Sequence, residues 1–132
     1  TEDAIVRHNI VSGTQAISLV LYGLLRPGDT LYSVSGKPYD TMVNVIGING
    51  FSGDGSLKDF GINYKETQLL NDGSFDIDEI KNAIINDSSI KLIYIQRSRG
   101  YSSRKTISLD NIRTLCNEIK KLLDHQILHS DS

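Results

Sequence analysis

The chain has 132 residues, 39% of them hydrophobic and 23% charged, which is enough for one modest domain with one core and too apolar for a disordered segment. A net charge of −2 offers no electrostatic footprint for nucleic acid or an anionic membrane surface, so partners of both kinds are excluded from the expectation. No apolar run reaches the roughly 18–20 residues that span a bilayer, and the opening Thr1-Glu2-Asp3 lacks the basic segment of a secretory leader.

Residues 1–9 are polar, without a helix stop or a strand signal, and read like the middle of a structure. Next comes Ile10-Val11-Ser12-Gly13-Thr14-Gln15-Ala16, and then an apolar run over 17–25. Small hydroxyl and glycine residues ahead of a hydrophobic helix pattern suit two readings. One is a Ser/Thr cap on a buried helix. The other is a helix N-terminus whose free N–H groups and dipole hold a phosphate. The pattern predicts a helix over 14–25. It is apolar nearly all round, so burial on most sides is expected.

Arg26-Pro27-Gly28-Asp29 stops that helix and makes a tight turn. Residues 30–34 are β-branched and aromatic and predict a short strand. Ser35-Gly36-Lys37-Pro38 is the next turn, with a second helix over 39–48 that Pro38 helps to start. Residues 49–61 contain four glycines and read as a loop. A strand over 62–69 and a turn at Asn71-Asp72-Gly73 follow. Asp76 with Glu79 three positions on forms a capping box for a helix with a buried face of Ile77, Ile80, Ala83 and Ile84.

Residues 90–96 are nearly continuously apolar and predict a central parallel strand. Residues 97–105 form a basic polar loop. Ser108 caps the last helix, with an apolar stripe of Ile112, Leu115, Cys116, Ile119, Leu122 and Leu123. Cys116 is the single cysteine. No internal disulfide can form, a reducing, cytoplasmic setting is expected, and the thiol's place in the stripe predicts a buried structural residue. Residues 1–123 are read as the folded part and 124–132 as a polar tail.

Strands alternating with helices, without tight hairpins, predict an α/β three-layer sandwich with a mainly parallel sheet. Ligands of such sheets sit beyond the carboxyl ends of the strands, here the loops 35–39 and 96–101. There is no G-x-G-x-x-G dinucleotide fingerprint and no phosphate-binding P-loop. Asp40 and Asp59 lack a paired carboxylate at a useful spacing. His8, His125 and His129 do not cluster with Cys or carboxylates, and no metal site is expected.

An ordered set of short motifs adds to this. Ser-Gly-Thr-Gln-Ala at 12–16 is followed by Leu-Arg-Pro-Gly-Asp at 25–29 and Gly-Lys-Pro-Tyr-Asp-Thr at 36–41. Gly-Ser-Leu-Lys-Asp-Phe-Gly at 55–61 and Gln-Arg-Ser-Arg-Gly-Tyr at 96–101 complete the set. In this order the chain resembles the cystathionine beta-lyase and methionine gamma-lyase-like proteins associated with aluminium resistance, from residue 1 to about residue 121. The resemblance implies a pyridoxal-phosphate enzyme of the aspartate-aminotransferase fold type (fold type I), with this chain the first part of its large domain. It implies a carbon–sulfur lyase acting on a sulfur amino acid, and a homo-oligomer. No cluster of oxygen ligands suits a hard trivalent cation, so aluminium is only a label.

Residue by residue, the resemblance places Ser12, Gly13, Thr14 and Gln15 at the cofactor phosphate, with N–H groups from Gly13 and Thr14. It stacks Tyr39 on the pyridine ring and puts Arg97, Arg99 and Tyr101 at the substrate. From the residues alone, Tyr39 reads as an aromatic packing on the sheet, and the arginines could equally belong to a solvated loop. Lys37 and Lys58 come too early to be the family's cofactor lysine. The family carries proline where His8 stands and histidine where Gln15 stands. Its Schiff-base lysine and the aspartate that pairs with the pyridine nitrogen fall beyond residue 132, so these residues alone are expected to be inactive. A free-standing α/β module for a small phosphorylated ligand, and the non-functional product of a truncated gene, are the alternatives.

Overall fold

The computed structural model describes residues 8–98 and 106–130, with side chains to residue 125. The elements run α1 (Gly13–Leu24), β1 (Thr30–Ser33), α2 (Asp40–Ile46), β2 (Asn63–Glu66), α3 (Ile77–Asn86), β3 (Ile90–Tyr94) and α4 (Leu109–Ser130). The three strands are parallel in the order β2-β1-β3. Thr30 pairs with Asn63 on one side and Ile90 on the other. A bulge between Thr30 and Leu31 then brings Leu31 opposite Leu92.

Side chains alternate across the sheet, as the pleat requires. Leu31, Tyr64, Leu92 and Tyr94 join Leu21, Leu25, Met42, Ile46, Leu57 and Ile62 in one core. Tyr32, Val34, Ile93 and Ile95 join Phe75, Ile80, Ala83, Ile107 and Leu115 in the other. Helices α1 and α2 thus cover one face and α3 and α4 the opposite one, the α/β three-layer arrangement expected. Caps define the helix starts. Ser12 Oγ accepts from Gln15 N at 3.1 Å, Asp76 Oδ1 from Glu79 N at 3.3 Å, and Ser108 Oγ from Asn111 N at 3.1 Å.

The structure corrects the sequence reading in four places. First, the central strand of the described residues is β1, while β3 has a neighbour on one side only. The polar residues of β1 hid this. Thr30, Tyr32 and Ser33 are buried because each hydroxyl has a partner: Thr30 Oγ1 and Ser89 Oγ at 2.6 Å, Tyr32 Oη and Thr67 Oγ1 at 2.5 Å, and Ser33 Oγ donating to Gly36 O at 2.6 Å. A hydroxyl so satisfied costs little to bury.

Second, α1 is not buried on most sides. Within the helix Leu21 is buried, whereas Leu19, Val20 and Leu24 are 54%, 53% and 64% exposed. One face packs on the sheet and the described residues place nothing on the other. Third, Cys116 is exposed rather than buried. Leu115 takes the core position, and the thiol sits on the rim of an apolar groove with Ile93, Ile95, Ile119 and Leu123. Fourth, α4 does not end with its apolar stripe but continues through residues 124–130 of the expected tail.

Candidate functional site

Two loops leave the carboxyl ends of β1 and β3 side by side, and α1 begins next to them. The β1 loop carries Ser35 and Tyr39, and the β3 loop carries Gln96, Arg97 and Ser98. Gln96 N donates to Ser35 Oγ at 3.0 Å and ties the loops together. A recess of about 870 Å³ opens between them, lined by Ile17 of α1 with Tyr39, Tyr94, Gln96, Arg97 and Ser98. That size falls in the range of small-molecule sites. Thr14 Oγ1 donates to Thr41 Oγ1 at 3.4 Å, joining the start of α1 to the start of α2.

At the start of α1, Ser12 and Gln15 engage the backbone. Ser12 Oγ receives the N–H of Gln15, and Ala16 N donates to Ser12 O at 3.1 Å. The carboxamide of Gln15 reaches back, its Oε1 accepting from Val11 N at 2.8 Å and its Nε2 donating to Asn9 O at 3.3 Å. No acceptor among the described residues meets Gly13 N or Thr14 N. A Cβ built on Gly13 would meet no atom within 4 Å, and its φ lies outside the left-handed region. Neither crowding nor backbone conformation in the described chain accounts for a glycine there.

Tyr39 stands at the N-cap of α2, its side chain makes no cap bond, and it is 37% exposed. Its N–H donates to Gln96 Oε1 at 2.9 Å, and its Oη accepts from Ser98 Oγ at 3.0 Å. Tyr94 Oη also donates to Gln96 Oε1, at 3.2 Å. Burial, followed by the nearby Tyr39 hydroxyl, pushes the Tyr94 hydroxyl above its ordinary range. It therefore stays protonated and remains a donor at neutral pH.

At this corner of the molecule Tyr39 and Arg97 line the recess together with Ile17 of α1; Thr14 reaches Thr41 near the start of α2, and Ser12 and Gly13 precede it without lining the recess. Gln15 belongs to the corner, but both ends of its amide are already engaged. Arg97 is exposed and its Nε donates to Ile107 O at 3.1 Å, so the arginine also braces the loop behind it. Arg99 and Tyr101 lie outside the described residues. Ser35, Gln96 and Ser98 lie in the two loops expected at the ligand end but were given no role from sequence, and Tyr94 was not foreseen. Only the position of Gln96, the first polar residue after the apolar strand pattern, could have signalled its place. Lys37 and Lys58 are exposed and do not line the recess.

A second hollow, of about 300 Å³, lies over residues 47–59 and includes Lys58 and Asp59. Asp59 on its lining and Asp54 nearby in sequence are already used by the loop. Asp59 accepts from Gly53 N and Gly55 N at 2.7 and 3.0 Å, and Asp54 from Phe51 N and Ser56 N at 3.1 and 2.9 Å. That hollow reads as a self-stapled loop.

The model of the methionine gamma-lyase family matches residues 1–132. The chain is 41% identical over 131 residues to the uncharacterized protein YnbB of Bacillus subtilis (strain 168), across 99% of this chain and 31% of that protein. It superposes with a TM-score of 0.82 on a carbon–sulfur lyase involved in aluminum resistance from Clostridium novyi NT, at 43% identity, over 89% of this chain and 28% of the other. A Clostridium acetobutylicum protein, provisionally called a cystathionine beta-lyase involved in aluminum resistance, superposes with a TM-score of 0.80 at 41% identity, over 88% of this chain and 28% of the other. The chain thus spans about a third or less of the length of these relatives.

Proposed function

This chain belongs to the methionine gamma-lyase family, and from that premise we propose that its corner forms the phosphate-binding and ring-stacking part of a pyridoxal-phosphate site. The whole protein would be a carbon–sulfur lyase acting on a sulfur amino acid. The observation that carries the reading is the start of α1. Among the described residues two N–H groups, of Gly13 and Thr14, lack an acceptor at the positive end of a helix whose Ile17 lines the recess where Tyr39 stands half-exposed. An anion fits such a terminus.

The residues present fit the group. Gly13 and Thr14 N–H would hold phosphate oxygens. Ser12 Oγ accepts from Gln15 and keeps its own O–H to donate. Gln15 acts one step back, holding residues 9–11 against the first turn. Tyr39 would cover one face of the ring. Arg97, braced by Ile107 O, retains donors for a substrate carboxylate, and Arg99 and Tyr101 are assigned to the same end of the site. When bound, pyridoxal phosphate supplies an electron sink for the electrons released at the substrate's alpha carbon. The part of this chain is to bind and orient.

The test is a titration of the 132-residue chain, followed by backbone amide resonances, with pyridoxal phosphate and with inorganic phosphate. Both ligands should shift Gly13 and Thr14, and pyridoxal phosphate should also shift Tyr39 and Gln96. Shifts confined to residues 47–59, or none, would sink the reading. In the same samples borohydride should leave no cofactor mass on the protein, and no 2-oxo acid should form from methionine or cystathionine.

We also assign these residues to a homo-oligomeric, cytoplasmic protein. The exposed apolar side of α1 and the one-sided β3 favour association, and the exposed free thiol of Cys116 suits a reducing compartment. Sedimentation velocity should show species larger than 14.6 kDa, rising with concentration. A monomer at every concentration would count against the oligomer.

A further inference from the structure

We propose that Gln96 and Ser98 are positioning residues that fix the ring of Tyr39 at the mouth of the recess. This deepens the cofactor reading and rests on it. Its own helix holds Tyr39 through the carbonyl, which accepts from Val43 N at 2.8 Å. Tyr39 is the N-cap residue of α2, with φ −54° and ψ 154°, and its side chain makes no cap bond. Its N–H and its hydroxyl are anchored instead from the β3 loop, 57 and 59 residues further along the chain. Gln96 Oε1 receives its N–H at 2.9 Å, and Ser98 Oγ donates to its Oη at 3.0 Å. One bond fixes the backbone and the other fixes the tip of the ring, so together they restrict χ1 and set where the ring stands.

The carboxamide of Gln96 suits the task because it does two jobs at once. Its oxygen has two lone pairs, and Tyr39 N and Tyr94 Oη occupy them, at 2.9 and 3.2 Å. Its nitrogen donates to Ser98 O at 3.2 Å, which sets the residue whose hydroxyl reaches the ring. The backbone N of Gln96 is itself anchored on Ser35 Oγ, in the loop that leads to Tyr39. The arrangement closes on itself from Ser35 through Gln96 and Ser98 to Tyr39. A carboxylate here would keep the accepted bonds and lose the donor, and an aliphatic side chain would lose all of them.

An ordered ring face costs a stacking ligand less entropy than a mobile one. Ring position should therefore matter for pyridoxal phosphate and not for inorganic phosphate, which meets only the start of α1. The experiment measures dissociation constants of both ligands for the 132-residue chain and for Gln96→Leu, Ser98→Ala, Tyr39→Phe and the Ser98→Ala/Tyr39→Phe double variant. Loss of one hydrogen bond corresponds to about a three- to tenfold change. Ser98→Ala and Tyr39→Phe should each weaken pyridoxal phosphate about threefold and Gln96→Leu about tenfold. Inorganic phosphate should bind all of them as it binds the parent. The double variant should be no weaker than either single one, since both remove the same bond. Additive losses in the double variant, or an equal loss of inorganic phosphate, would overturn the positioning role while leaving the cradle intact. No binding of either ligand by the parent chain would remove the cofactor reading and this inference with it.

Discussion

Gly47→Ala is expected to destabilise the fold by about 2–4 kcal/mol, from left-handed backbone strain and overpacking acting together. Gly47 ends α2 with φ +85°, a conformation that a side chain disfavours by about 1–2 kcal/mol. A Cβ there would lie 2.2 Å from Ser56 Oγ and 2.7 Å from Ser56 Cβ. Ser56 has little room to retreat. It is buried, Leu57 beside it is fully buried, and the segment is zipped to α2 by Leu57 N to Val45 O and Lys58 N to Ile46 O, both at 3.0 Å. Gly53→Ala is the matched control. Its φ is +88°, but a Cβ would meet nothing within 4 Å, so only the backbone penalty of about 1–2 kcal/mol applies. Urea unfolding of the two variants, with the slope checked for constancy, separates the close approach from the backbone strain. Equal losses would show that the Ser56 contact carries no weight. The effect bears on the site because α2 has Tyr39 at one end and Gly47 at the other.

Local signals carried most of the fold. Pro27-Gly28-Asp29 marked the end of α1, and the 3–4 spacing of Ile112, Leu115 and Ile119 marked the inward face of α4. Asp76 marked the start of α3, because a cap is chemistry within four residues. What stayed hidden depends on residues distant in the chain. The central place of β1 rests on hydroxyl pairs such as Tyr32–Thr67 and Thr30–Ser89, and no window around residue 32 contains both partners. The apolar pattern of α1 reports what the helix would bury, and it holds no information about what lies against it. Cys116 illustrates the same limit: a stripe fixes an average direction, and a residue on its margin can face out. The site divides likewise. The start of α1 at Ser12 and Gly13 was legible because a helix terminus is a local object. The role proposed for Tyr39 comes from the family resemblance, and the contacts of Gln96 and Ser98 with it emerged only when parallel pairing set the β1 and β3 loops side by side.

Gly13→Asp should move stability and ligand affinity in opposite directions. The Cα–Cβ bond of a helical residue tilts toward the helix N-terminus, so a side chain at Gly13 enters the space where a phosphate would meet the N–H groups of residues 13 and 14. The fold has room for it, since a Cβ at Gly13 meets no atom within 4 Å. The first turn of α1 contains no acidic residue. A carboxylate added there complements the helix dipole by about 0.3–1 kcal/mol, so the melting temperature should hold or rise. The same carboxylate competes for the donors and repels the dianion, and affinity for both pyridoxal phosphate and inorganic phosphate should fall by about a hundredfold, or 2.7 kcal/mol. Gly13→Ala isolates the steric part, with unchanged or slightly raised stability and a loss of about tenfold. A general disturbance of α1 would lower both quantities together. If Gly13 merely opens a capped helix, Gly13→Asp will raise stability and leave the titrations as they were. A ligand curve for Gly13→Asp that overlays the parent's would therefore end the cradle reading, whatever the family likeness.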